Sequence, residues 1–160
     1  MSRIVVISGG LGSPSSTRVL GDDILARLRD ALALGNDTLE ETVVELREFA
    51  HPITDAMLTG FPMGELARVV EQVRDADALV VVSPTFSASI SGLVKSFFDI
   101  LEPGTLTGKP VLLAATGGTE RHSLMIEFAM RPLFSYLGPS RCAPACSRPP
   151  LTSAGRVPRR

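Results

Sequence analysis

The sequence contains no Trp, a single Tyr and only two Cys. Cys142 and Cys146 lie four residues apart, with no second pair elsewhere and no neighbouring His. This excludes a disulfide framework and argues against a zinc site. Apolar runs of the roughly 18 residues that a membrane span needs are also missing, as is the pattern of a signal peptide. We therefore expect a cytoplasmic protein with no metal ion and no membrane partner.

The charged residues are unevenly distributed along the chain. Residues 1–127 carry 10 Lys or Arg against 17 Asp or Glu, whereas residues 128–160 carry 6 Arg and no acidic residue. A basic segment can bind nucleic acid. This one has no aromatic residue after Tyr136 and no recognisable nucleic-acid-binding motif. The sequence therefore predicts no nucleic-acid partner.

With 44% hydrophobic residues, the chain can form one domain with a sizeable core. Short apolar runs alternate with amphipathic segments, which predicts a three-layer, doubly wound α/β fold with a parallel sheet. The predicted strands are 4–8, 42–46, 79–82 and 109–116, and the predicted helices are 16–34, 62–74, 89–101 and 121–137, with an irregular segment at 51–61. Helical spacing places four aromatic residues in the core: Phe97, Phe98, Phe128 and Phe134.

The pattern changes after Leu137. A fifth strand is due there, but residues 138–160 contain five prolines and five arginines and no long apolar run. Proline cannot donate to a sheet ladder, which makes the fifth strand doubtful. We predict a domain of residues 1–137 followed by an irregular Arg/Pro-rich tail, residues 138–160.

Loop one, residues 8–18, joins the first strand to the amino terminus of a helix. Backbone N–H groups and the helix dipole favour an anion there, and four hydroxyl side chains add donors: Ser13, Ser15, Ser16 and Thr17. Helix capping is the alternative use of these hydroxyls, but one residue suffices for it. The loop is one glycine short of a dinucleotide motif, and Glu45 lies 30 residues after Ser15 rather than about 20. The loop therefore suits a single terminal phosphate.

Two more loops leave the same edge of the predicted sheet. Loop two contains Pro84, Thr85, Phe86 and Ser87, and loop three contains Thr116, Gly117, Gly118 and Thr119. Glycines let backbone N–H groups approach a ligand closely. A phosphate site and two ring-lining loops at the carboxyl ends of parallel strands indicate a pocket for flavin mononucleotide (FMN).

Three segments match a known family in order and spacing: SGGLGSPSSTR (8–18), SPTFSASISGLVKSFFD (83–99) and ATGGTERHSL (115–124). On these segments the chain resembles the NAD(P)H-dependent FMN reductases of the flavodoxin-like superfamily, particularly the short reductases that serve two-component monooxygenases. The resemblance implies a flavodoxin-like fold with strand order 2-1-3-4-5. It also implies binding of FMN and NAD(P)H.

The resemblance further implies roles for the three loops. Loop one would hold the FMN phosphate through Ser13, Ser15, Ser16, Thr17 and Arg18, and loop two would line the ribityl chain and the isoalloxazine ring. Loop three would cover the polar edge of the ring, with His122 close to the flavin or the nicotinamide. Relatives often carry Tyr or Arg where this chain has Phe86, so a hydroxyl or a charge is absent near the ring.

We therefore expect an enzyme that reduces FMN with NADPH or NADH. The flavin carries the chemistry, so we expect no catalytic protein residue, with His122 as a possible exception. A flavin-dependent monooxygenase is a possible partner, and a homodimer or homotetramer is expected. The alternatives are a quinone, azo-compound or chromate reductase that contains FMN, a non-catalytic flavodoxin-like electron carrier, and a degenerate paralogue. The absence of Trp and the net charge of −1 argue against an acidic flavodoxin.

Overall fold

A five-stranded parallel sheet forms the centre of the protein. The computed structural model describes residues 1–119, 122, 124–138 and 141–148. The strands are β1 (Ser2–Ser8), β2 (Leu39–Glu45), β3 (Ala78–Phe86), β4 (Ser89–Ile90), β5 (Pro110–Thr116) and β6 (Arg141–Arg148). The sheet order is β2-β1-β3-β5-β6, and β4 pairs antiparallel with the end of β3. The predicted fold class and strand order are confirmed.

Helices cover both faces of the sheet. They are α1 (Ser16–Leu34), α2 (Ala50–Thr59), α3 (Gly64–Asp75), α4 (Gly92–Asp99) and α5 (Arg131–Leu137), with a 3-10 turn at Leu46–Phe49 and a π-helical turn at Ile126–Met130. Because successive strand side chains point to opposite faces, Ile4 and Val6 of β1 pack with α1. Val5 and Ile7 belong to the core shared with the other four helices. Within the part of the chain that the structure describes, no helix is long and apolar enough to cross a membrane.

Helix α2 lies where the sequence suggested an irregular segment, so that prediction was wrong. Pro52 argues against a helix in this segment, because proline usually interrupts helices. Pro52 lies in the first turn of α2, where backbone N–H groups have no partner within the helix, so proline fits. Ile53 and Ala56, three positions apart, are buried, and Gly60 ends the helix in the left-handed conformation with a φ of 89°. Burial of one apolar face therefore stabilises a helix that local sequence signals obscured.

Loop two contains a hairpin that the sequence did not predict. Strand β3 continues through Phe86, and Ser87 and Ala88 turn the chain with φ angles of 49° and 64°. Positive φ at both central residues is typical of a type I′ hairpin turn. Strand β4 follows, so α4 begins at Gly92 rather than at Ser89.

The expectation of an irregular segment was wrong for residues 141–148, which form strand β6. It pairs parallel with β5 as an edge strand. Leu112 is opposite Ala143 and Ala114 is opposite Cys146, so β6 has an extra residue around Pro144, which forms a bulge. Edge strands and bulges are the places where proline is tolerated in sheets. Residues 139, 140 and 149–160 of the predicted tail lie outside the described residues, and the domain division at residue 137 stays a prediction.

Three of the four aromatic residues expected in the core are there. Phe97, Phe98 and Phe134 are fully buried, and Phe98 meets Phe134 edge to face with ring centres 4.8 Å apart. Phe128 is 73% exposed, so its assignment to the core was wrong. It lies in the π-helical turn, where an extra residue per turn rotates side chains away from the positions that α-helical spacing predicts.

Candidate functional site

The three predicted loops meet at the carboxyl edge of the sheet. Loop one follows β1, loop two follows the main body of β3, and loop three follows β5, and these strands are direct neighbours. Gly9, at the start of loop one, lies against loop two. A Cβ at Gly9 would collide with the side chain of Val94 and lie 3.2 Å from Cδ of Pro84. Close backbone approach at Gly9 therefore brings the first two loops together.

Loop one ends at a well-formed helix amino terminus. Ser15 is the N-cap of α1, and its Oγ accepts a hydrogen bond from the backbone N–H of Arg18 at 3.2 Å. Ser13 and Ser16 are exposed beside this cap. A Cβ at Gly10 would collide with Oγ of Ser15, so glycine is needed where the loop crosses the cap. The 19 residues of α1 direct their helix dipole and free N–H groups towards this loop.

Buried hydroxyls lie at the base of loop one. Thr17 and Thr116 are buried, and their Oγ1 atoms are hydrogen bonded at 3.0 Å, which joins α1 to the end of β5. Ser8 ends β1 and is 1% exposed, and its Oγ has no hydrogen-bond partner among the described residues. Buried polar atoms are nearly always satisfied. Ser8 is thus a further candidate, which was missed because a hydroxyl at a strand end carries no distinctive sequence signal.

Arg18 makes ion pairs with two carboxylates. Its Nε lies 2.9 Å from Asp22 Oδ1, and its Nη1 lies 3.0 Å from Glu45 Oε1. The hydrogen bond with Asp22 is the main cause of a raised pKa for Arg18, so its guanidinium stays charged. The two carboxylates engage Nε and Nη1 of Arg18, and a contact of this side chain with phosphate stays a prediction.

Loop two is held from beneath by Ser83. This residue is fully buried, and its Oγ donates to the carbonyl of Pro84 at 2.8 Å and accepts from the backbone N–H of Ser91 at 3.0 Å. These two bonds fix both ends of the hairpin. Pro84 is buried, whereas Phe86 is 46% exposed. The hairpin therefore presents an aromatic side chain at the edge of the sheet.

Loop three brings Thr85 and His122 together. A Cβ at Gly117 would lie 3.3 Å from Cδ2 of His122 and 3.5 Å from Oγ1 of Thr85, so Gly117 lies between them. Nδ1 of His122 is buried and has no hydrogen-bond partner in the described part of the chain. A Cβ at Gly118 would have no neighbour within 4 Å in the described part of the chain. The backbone of Gly118 and the exposed Thr119 are thus accessible to a ligand.

The arrangement has two chemically different ends. A helix amino terminus with hydroxyl groups suits a phosphate, and the Phe86 side chain with the glycine backbone of loop three suits a flat ring with polar edges. Ser8 Oγ and His122 Nδ1 have no partner among the described residues, so each could form a hydrogen bond with FMN. The residues present therefore fit this group. Among the described residues, no three His, Cys, Asp or Glu form a cluster that could hold a metal ion.

This fold and site define a flavin-binding oxidoreductase of the flavodoxin-like class, and comparisons with known proteins agree. The family described as NADPH-dependent FMN reductase matches residues 2–142. The FMN reductase (NADPH) of Pseudomonas aeruginosa is 39% identical over 134 residues, which are 84% of this chain and 69% of the relative. The NADH-dependent FMN reductase SfnE of Pseudomonas putida is 41% identical over 139 residues, or 84% and 70% of the two chains.

A solved structure of an oxidoreductase from Corynebacterium diphtheriae has a TM-score of 0.87 and 40% identity, covering 90% of this chain and 79% of that one. The chain belongs to the NADPH-dependent FMN reductase family. Its activity is NAD(P)H-dependent FMN reduction, and FMN and NAD(P)H are its cofactors. An FMN-dependent NADH-azoreductase from Bacillus anthracis, with a TM-score of 0.61 at 12% identity over 92% of this chain and 87% of that one, shares the fold alone.

Proposed function

We propose that the three loops form the FMN site of this reductase, and that reduced FMN leaves the protein to serve a flavin-dependent monooxygenase. The observation that carries the site assignment is the hydroxyl-rich amino terminus of α1, together with the buried Oγ of Ser8 at the end of β1, which has no partner among the described residues. In this assignment the phosphate lies at the N-cap. The residues around it are Ser8, Ser13, Ser15, Ser16, Thr17 and Arg18.

The ring end of the site is assigned to loops two and three. Phe86 packs on or beside the isoalloxazine, and Pro84, Thr85 and Ser87 line the ribityl chain and the ring. Thr116, Gly117, Gly118 and Thr119 face the polar edge. The proximity of Gly117, Thr85 and His122 supports this assignment, since it brings both loops to one place.

Bound FMN would supply the hydride-accepting chemistry that links the nicotinamide to the final electron acceptor. The protein binds and orients the two molecules, and we assign it no general acid or base. We assign to His122 a hydrogen bond from the polar edge of the ring to Nδ1 or from Nδ1 to that edge. Ser83 keeps the hairpin fixed beneath the ring through its two buried hydrogen bonds.

Release of reduced flavin is supported by the openness of the ring end. Phe86 is 46% exposed, and a Cβ at Gly118 would meet no atom of the described residues within 4 Å. A ring held there is bound on one side by the hairpin and remains accessible on the other. This favours a diffusible product over a permanently bound flavin, as in a quinone or azo-compound reductase.

A diffusion experiment tests this function. The purified chain, NADPH or NADH, and catalytic FMN are placed on one side of a dialysis membrane, and cytochrome c is placed on the other without oxygen. We expect cytochrome c reduction that requires FMN and either nicotinamide nucleotide. Nucleotide oxidation confined to the protein compartment, and stimulated by a quinone without free FMN, would instead identify a quinone reductase.

We also propose that the chain forms a homodimer or homotetramer in the cytoplasm. The π-helical turn and the residues before it expose two large apolar side chains one turn apart, Leu124 at 61% and Phe128 at 73%. Exposed apolar patches often mark interfaces. Sedimentation of wild type and of Phe128→Glu tests this assembly, because a monomer in both samples contradicts it.

A further inference from the structure

Arg47 connects loop one to the end of β2, a contact outside the predicted site. It lies in the 3-10 turn that follows β2. Its Nη1 donates to the carbonyl of Gly12 at 3.0 Å, across 35 positions of sequence. Gly12 lies in the middle of loop one, before the N-cap of α1. A guanidinium thus holds the part of the loop that no secondary structure fixes.

Glu45, the last residue of β2, holds the guanidinium of Arg47. Oε2 of Glu45 lies 2.9 Å from Nε of Arg47, and Oε1 lies 3.0 Å from Nη1 of Arg18. The Glu45 side chain is only 16% exposed. Because it is shielded from solvent and bonded to two arginines, this carboxylate differs from the exposed ion pairs that contribute little. Glu45 therefore joins β2 to loop one at Gly12 and to the first turn of α1 at Arg18.

We propose that Arg47, oriented by Glu45, is a positioning residue that sets loop one for the phosphate and so determines the preference for FMN over riboflavin. This inference rests on the proposed function, in which the phosphate lies in loop one. Arg47 acts through the carbonyl of Gly12. With that carbonyl engaged by the guanidinium, the neighbouring peptide N–H groups are held in one orientation. An anion site made of backbone N–H groups depends on such fixed orientation.

A second arginine–glutamate pair provides a matched control. Nη2 of Arg29 in α1 lies 2.7 Å from Oε1 of Glu41 in β2, so this pair joins the same two elements as Arg18 and Glu45. Its side chains are more exposed, at 56% and 36%. Arg29 and Glu41 are remote in sequence from loop one. Loss of this pair removes a link between β2 and α1 and leaves loop one untouched, so Arg29→Ala controls for a general loosening of that link.

The test compares FMN and riboflavin affinities of the purified full chain by flavin fluorescence. The variants are Arg47→Ala, Arg47→Lys, Glu45→Gln and Arg29→Ala, each checked for folding by circular dichroism and thermal unfolding without flavin. We expect Arg47→Ala to weaken FMN binding about tenfold or more, as expected for loss of a charged hydrogen bond, with riboflavin affinity unchanged. Glu45→Gln should give a smaller loss, and Arg29→Ala none.

Arg47→Lys should recover part of the FMN preference. Lysine keeps a charge that can donate to the carbonyl of Gly12, but it lacks the planar fork that also bonds Glu45. Equal wild-type affinities for FMN and riboflavin would overturn the proposed phosphate site itself. A wild-type preference for FMN that Arg47→Ala leaves intact would overturn the role of Arg47 alone. Equal losses of both flavins in Arg47→Ala would likewise reduce Arg47 to a structural role.

Discussion

Loop one and loop two leave neighbouring strands at one edge of the sheet, but different contacts hold them. Loop one is fixed by side chains from distant segments: Arg47 bonds the carbonyl of Gly12, and Thr116 bonds Thr17. Loop two is fixed locally, by its hairpin ladder and by Ser83 at the base. The phosphate end of the proposed site thus depends on tertiary side-chain contacts, whereas the ring end depends on local backbone structure. Substitutions in one loop should therefore affect binding at its own end of the site and leave the other end unchanged.

Removing the hydroxyls of loop one should give the largest effect. In a variant with Ser15→Ala, Ser16→Ala and Thr17→Ala, FMN binding should fall steeply, because each charge-assisted hydrogen bond contributes about 1.5–3 kcal/mol, non-additively. Loss of the N-cap should also lower stability by about 1 kcal/mol, and loss of the buried bond between Thr17 and Thr116 should lower it by about 1–3 kcal/mol more. Flavin titration measures the first effect and urea unfolding the second. Ser89→Ala, an exposed hydroxyl in the hairpin of loop two, is the control, and unchanged FMN affinity in the triple variant would remove loop one from the site.

Loss of the hydrogen bond between Thr17 and Thr116 should lower the stability of the flavin-free protein. Thr17→Val leaves the buried hydroxyl of Thr116 without this partner, which costs about 1–3 kcal/mol. The double variant with Thr116→Val should lose less than the sum of the single variants, since both hydroxyls are then gone. Urea unfolding of the wild type, the two single variants and the double variant gives the coupling free energy between the two hydroxyls. Strict additivity would show that the two hydroxyls do not stabilise each other.

Phe86→Ala should affect the ring end alone. Because Phe86 is 46% exposed, its loss should change the melting temperature of the flavin-free protein little. Loss of ring stacking should weaken both FMN and riboflavin binding by about 0.5–1.5 kcal/mol. Phe97→Ala, at a fully buried position, should instead lower stability by about 3–5 kcal/mol. A large stability loss in Phe86→Ala with unchanged flavin binding would assign Phe86 to packing.

The smallest effect concerns a site remote from both loops. Hydrogen bonds from the chain's amino group, and next from the Ser2 hydroxyl, lower the pKa of Asp37 from 3.8 to about 2. A lowered pKa in the folded state means that the charged carboxylate stabilises the fold. This stabilisation is present above about pH 4 and is lost as the pH falls towards 2. Urea midpoints of wild type and Asp37→Asn should therefore differ slightly at pH 5 and converge at lower pH, whereas a constant difference would contradict the assignment.

Much of the fold was predictable because its signals are local. The runs at 4–8 and 79–82 are buried parallel strands, and Ser15 caps α1 as expected. Each of the three loops follows a strand of the predicted parallel sheet, so all three could be assigned to the carboxyl edge of that sheet. Helix α2 and strand β6 were missed because proline usually argues against both kinds of element. Whether proline is tolerated depends on its position: Pro52 lies in a first helical turn, and Pro144 lies at a bulge in an edge strand.

The contacts that organise the site were less predictable. The hairpin turn uses Ser87 and Ala88 at positive φ, where glycine or asparagine would have signalled it. Arg47 and Gly12 are 35 positions apart, and no periodicity links them. That Ser8 Oγ and His122 Nδ1 are buried without a partner in the described part of the chain could be learned only from their surroundings in the fold. Residue types that could bind a phosphate could be named from the sequence, but the framework that orients them could not.

The edge position of β6 has a consequence for handling the protein in solution. An open strand edge can pair with another molecule and start aggregation. Pro144 has no N–H to offer to an incoming strand, and the bulge interrupts the regular spacing of donors and acceptors along this edge. A chain shortened before Arg141 would expose β5 instead, whose Val111 and Leu113 lie in an unbroken apolar run. Residues that have no role in the proposed flavin site would then decide whether the protein can be concentrated and stored.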